Sequence, residues 1–120
     1  MSFVDVILNG VARDPKVTPA KQQAVAAFLT EHRVLLEGIG DEASQEFFQM
    51  LYLHGAPQAW DSLLAHLDGE ALLKLLAQTG LEMESAIARR AAAIEKFEQF
   101  ALSVGETVLS LLTRVALAAL

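Results

Sequence analysis

MESAIARRAAAIEKFEQFALSVGETVLSLLTRVALA, running from Met83 to Ala118, decides how this chain is read. Met83, Ile87, Arg90, Ile94, Phe97, Ala101, Val104, Val108, Leu111, Val115 and Ala118 follow one another at alternating steps of four and three. Apart from Arg90, this heptad spacing keeps one stripe of a long helix apolar from end to end, the pattern that seats one helix against another. A helix of about 38 residues here would be roughly 57 Å long at 1.5 Å per residue, whereas a compact domain of this chain length has a radius of gyration of about 14 Å. Two outcomes are open. A bend near Gly105 lets the helix close on its own chain, and a straight helix demands a second molecule.

The sequence before this stretch reads as short helices separated by helix-stopping residues. Phe3, Val4, Ile7, Leu8 and Val11 share one face of a short helix expected to end at the Asn9-Gly10 region or at Asp14-Pro15. Thr18-Pro19 is an N-cap followed by proline in the first turn, opening a helix expected to run to about Glu37 and stop at Gly38 or Gly40. Asp41 is expected to cap the next, carrying Phe47, Phe48, Met50, Leu51 and Leu53 toward His54-Gly55. Pro57 begins a helix through Trp60, Leu63, Leu64 and Leu67, and Asp68-Gly69 separates it from another with Leu72, Leu73, Leu75 and Leu76, ended by Gly80. Connections this short fold neighbouring helices back on one another. The expectation is one all-α domain over residues 1–120: a bundle of five or six helices, with a compact body to about residue 80 and a long C-terminal helix.

Composition narrows the function classes. With 53% hydrophobic and 20% charged residues among 120, the chain can bury a core without staples. A net charge of −6 argues against a broad phosphate-binding surface, since non-specific nucleic-acid affinity comes from clustered Lys and Arg. No cysteine is present, which removes disulfide, thiolate and zinc-thiolate chemistry. The N-terminus shows neither a secretory signal nor a myristoylation glycine, and the expected location is cytoplasmic. Ala101 to Leu120 is apolar enough to suggest a membrane span. Glu106 and Arg114 are expensive at bilayer depth, and they join Ser103, Thr107, Ser110 and Thr113 on one polar side, so a buried or intersubunit helix is the preferred reading.

Chemical motifs are few. His32, His54 and His66 form no His-x-x-x-His or Glu-x-x-His pair, so no metal or cofactor site is expected. His32, between Phe28/Leu29 and Leu35/Leu36, reads as a partly buried core residue. Glu42/Glu46, Glu82/Glu84 and Glu95/Glu98 are neighbouring carboxylates without a group to orient them, and they read as solvated faces. No Gly-x-Ser-x-Gly or P-loop spacing occurs, and no catalytic residue is assigned. The stretch from about residue 71 to Arg90 loosely matches helix, glycine turn, helix, with Arg89, Arg90 and Lys96 able to reach phosphate. Its acidic first turn, with Glu82 and Glu84, disfavours DNA.

The expected function is therefore non-catalytic: a helical interaction or adaptor protein that self-associates, as a dimer first of all, through its C-terminal helix. The interface residues are Phe97, Phe100, Ala101, Val104, Val108, Leu111, Leu112 and Val115, with the second molecule expected past Gly105. Phe97 and Phe100 are expected to face different partners, one the body and one the other chain. Arg90, a polar residue at a heptad position, would either fix register, meeting a carboxylate such as Glu46 or Asp61, or face solvent with its aliphatic stem laid along the surface. Trp60 reads as core before interface. The alternatives are a module binding a membrane surface or apolar ligand through the same helix, and a small DNA-binding regulator.

Overall fold

The computed structural model describes residues 2–67, 70 and 85–120. Its elements are α1 (Phe3–Ala12), α2 (Pro19–Glu31), α3 (Arg33–Ile39), α4 (Asp41–Leu53), α5 (Ala56–Ala65) and α6 (Ala86–Ala119). The chain is an all-α helical bundle with a long C-terminal helix, and no strand occurs among the described residues. The expected helix carrying Leu72 to Leu76, its stop at Gly80, the first heptad residue Met83, and nearly all of the loose helix-turn-helix match lie outside the described residues.

Local chemistry sets the helix starts. The Ser2 side chain accepts the Asp5 backbone N–H and the Thr18 side chain accepts that of Lys21, each satisfying a donor that the first helical turn leaves open. Ser85, extended at φ −114° and ψ 144°, does the same for Ala88. That conformation starts α6 at Ala86, later than the spacing from Met83 suggests. The helix expected from Thr18 to Glu37 is two helices, because His32 (φ −104°, ψ 10°) ends α2 and begins α3. Asp41 is the first helical residue of α4, and Gly40 holds the cap position instead.

Gly40, Gly55 and Gly105 have nearly the same backbone, with φ of 94°, 102° and 82° and ψ between 166° and 176°. This region is essentially confined to glycine. In each case it turns the chain abruptly from one helix into the next. Gly105 thus breaks α6 into two segments. A straight helix of 34 residues would span about 51 Å, longer than the 43 Å maximum extent of a molecule whose radius of gyration is 13.5 Å.

The break also solves a packing problem. Before Gly105 the buried residues of α6 are Ala93, Phe97, Phe100 and Val104; after it they are Val108, Leu109, Leu112 and Ala116. At 100° per residue on a continuous helix, these two arcs would point about 105° apart. Only a bent helix lays both on one body. The first segment packs Phe97 against Phe28 of α2, Phe47 of α4 and Trp60 of α5. The second crosses α1 so closely that a Cβ on Gly10 would sit 2.7 Å from Val115 Cγ1. It also reaches α4, where the Thr113 hydroxyl donates to the Phe48 carbonyl at 3.4 Å.

Candidate functional site

The expected interface does not survive as one surface. Phe97, Phe100, Val104, Val108 and Leu112 are buried in the chain's own core, and Ala101, Leu111 and Val115 are half-buried against it. Phe97 and Phe100 do not divide between two partners: Phe100 stacks on Phe28 at 4.0 Å between ring centroids, and Phe97 meets the same ring edge-on at 6.0 Å. The segment past Gly105, the expected seat of a second molecule, packs on α1 and α4 of the same chain and buries Val108, Leu109, Leu112 and Ala116, while Leu117 and Leu120 stay more than half exposed. The turn at Gly105 is what lays it back on its own chain.

Among the described residues the two most exposed large apolar side chains, Ile87 and Leu102, lie before Gly105, while Leu117 (59%) and Leu120 (55%) are the exposed ones past it. Placing Phe97 at the centre of the buried arc turns Ile87 about 80° away from it around the helix. Ile87 is 84% exposed, Ala91 is exposed, and Ile94 and Ala101 are half-buried at the edge of the core. Leu102, also 84% exposed, extends this face toward Gly105. Ile87, Arg90, Ala91, Ile94, Glu95 and Glu98 line an open groove along it. Ile87, Ile94 and Ala101 are one of the two heptad positions read from the sequence. Arg90, Phe97 and Val104 are the other, of which Phe97 and Val104 turn inward and Arg90 stays half exposed. Ala91 and Leu102 belong to neither position, so the heptad spacing does not single them out.

Charges flank this face in a fixed order. Arg90 points Nε and Nη2 at the two Asp61 carboxylate oxygens at 3.3 and 3.4 Å, so a carboxylate of a facing helix does meet it. Both side chains are about half exposed, and such a pair contributes little to stability. Lys96, on another side of α6, pairs with Glu31 of α2 at 2.8 Å. Two of the three cations that a phosphate-binding reading needs are thus already beside carboxylates. Of the neighbouring acids, Glu46 lies 3.3 Å from His66 Nε2 and Glu95 accepts from Gln99 at 3.4 Å. Among the described residues no group of three His, Asp or Glu side chains is placed to hold a metal ion.

His32 is the one titratable group deep in the core among the described residues, 2% exposed and stacked on Phe28 at 4.2 Å. Its Nδ1 donates to the Phe28 carbonyl at 2.8 Å, which leaves Nε2 as a buried acceptor without a partner. Burial pushes its pKa down; the Phe28 carbonyl and Glu31 oppose that shift and Lys96 reinforces it. Trp60, 2% exposed, is core and offers no anchor to a partner.

By length and composition Ile87–Ala119 is apolar enough to cross a membrane. It is bent at Gly105, and its Val104, Val108 and Leu112 are buried in the core. No protein-family model, curated protein or solved structure matches the chain.

Proposed function

We propose that this protein is a non-catalytic helical interaction module that self-associates through the exposed stripe of α6 before Gly105. The observation that carries this reading is the exposure of Ile87 and Leu102, each 84%, at the two ends of a face that also holds Ala91, Ile94 and Ala101. Fully burying an isoleucine or leucine stabilises by roughly 1.5–3 kcal/mol, so covering these side chains with a second copy supplies a driving force that the folded monomer leaves unused. The stripe spans about 22 Å of helix from Ile87 to Leu102. A contact of that length belongs with small, weak interfaces, and micromolar association is the expectation.

Sedimentation velocity of the full chain from micromolar to millimolar concentration tests the proposal. Wild-type protein should shift from monomer to dimer across that range. Ile87→Glu with Ala91→Glu, both at exposed positions, should remain monomeric while retaining the helical circular dichroism of the wild type. A wild-type chain that stays monomeric throughout refutes the proposal. Flotation with liposomes, retained by the wild type and lost in the same variant, would move the surface to a membrane partner instead.

A further inference from the structure

Resting on the reading that the chain self-associates through α6, we propose that two copies pair antiparallel about a two-fold axis at Ile94, so that Arg90 of each chain faces Glu98 of the other and Ile87 faces Ala101. The stripe is symmetric in spacing about this point. Arg90 and Glu98 lie four residues to either side of Ile94, and Ile87 and Ala101 seven to either side.

Charge decides between the two orientations of a helix pair. A parallel, in-register pair sets Arg90 against Arg90 and Glu98 against Glu98, and like charges so placed are destabilising. Antiparallel pairing converts both contacts into opposite-charge pairs. It also opposes the larger Ile87 to the smaller Ala101, which interdigitates better than isoleucine against isoleucine. A two-fold contact of this kind is closed: each surface is used once, and the assembly stops at a dimer. Arg90 can serve both its own chain and the partner, because a guanidinium carries five N–H donors in a planar fork and Asp61 takes two of them. Its side chain is 47% exposed, which leaves it reachable from outside the monomer.

The chain has no cysteine, so single introduced thiols report the register unambiguously. Full-length Ile87→Cys and Ala101→Cys proteins are oxidised separately and then as an equimolar mixture, and the products are separated by non-reducing electrophoresis. The expected result is little disulfide dimer from either alone and a mixed dimer, resolved by a small tag on one chain, from the two together. Efficient dimerisation of Ile87→Cys by itself overturns the antiparallel register while leaving self-association intact. A monomeric wild type by sedimentation refutes the parent reading instead, so the two failures are separable. Charge exchange gives a second readout: Arg90→Glu and Glu98→Arg should each weaken association several-fold, and the double variant should recover it. A double variant no better than the singles also overturns the register.

Discussion

Gly105→Ala should destabilise the protein by about 2 kcal/mol, although alanine is the better helix former. The balance is set by two alternatives open to the substituted chain. It can straighten α6, gaining about 1 kcal/mol of helix propensity. Straightening would swing Val108, Leu109 and Leu112 out of the core, at roughly 1.5–3 kcal/mol each, so this route is closed. The chain must then hold alanine at φ 82° and ψ 168°, a conformation that costs of order 1–3 kcal/mol in a residue with a side chain. Steric crowding adds little, because the nearest atom to the new Cβ is Lys21 Nζ at 3.7 Å, ordinary contact at the end of a flexible side chain. The melting temperature should fall by roughly 6–10 °C in thermal unfolding followed by circular dichroism. Gly38→Ala is the matched control: Gly38 is helical in α3 with open space around its Cβ position, and it should gain roughly 0.5–1 kcal/mol. If Gly105→Ala melts at or above the wild type, as the control should, the bend is not the native conformation and the packing of the last segment on α1 is mistaken.

Two further outcomes test the core. Gly10→Ala should cost about 1–3 kcal/mol in urea unfolding, because its Cβ would lie 2.7 Å from Val115 Cγ1; adding Val115→Ala should return part of that loss, and purely additive effects would show that the two helices do not meet there. His32 should make the fold acid-sensitive in a definite direction. Above the ordinary histidine pKa near 6.5 the ring is neutral in both folded and unfolded chains. As the pH falls below that value the unfolded chain takes up a proton first, because burial lowers the folded pKa. Stability is therefore lost between the two pKa values and levels off beneath the lower one. Urea midpoints measured across this window should decline more steeply for the wild type than for His32→Phe, while parallel profiles would show that the buried ring does not titrate abnormally.

The sequence alone determined the helical class and most of the helix ends. Thr18-Pro19, Ser2 and the glycines at 40, 55 and 105 act within a few residues of chain, through side-chain caps and a backbone region open only to glycine. For Arg90 it offered Glu46 or Asp61 as a facing carboxylate, and only the packing of α5 on α6 selected Asp61. Tertiary structure decided which apolar stripe of α6 became core. Ile87-Ile94-Ala101 and Ala93-Phe97-Phe100-Val104 are both regular helical faces, and periodicity assigns them equal standing. The choice fell to Phe28, Phe47 and Trp60, which come from three different helices and surround Phe97. Likewise the arc of Val108, Leu109, Leu112 and Ala116 displaced the heptad's Leu111, Val115 and Ala118 because the turn at Gly105 re-aims everything after it. Spacing along a chain fixes which residues share a face; only the arrangement of the surrounding helices fixes which face is covered.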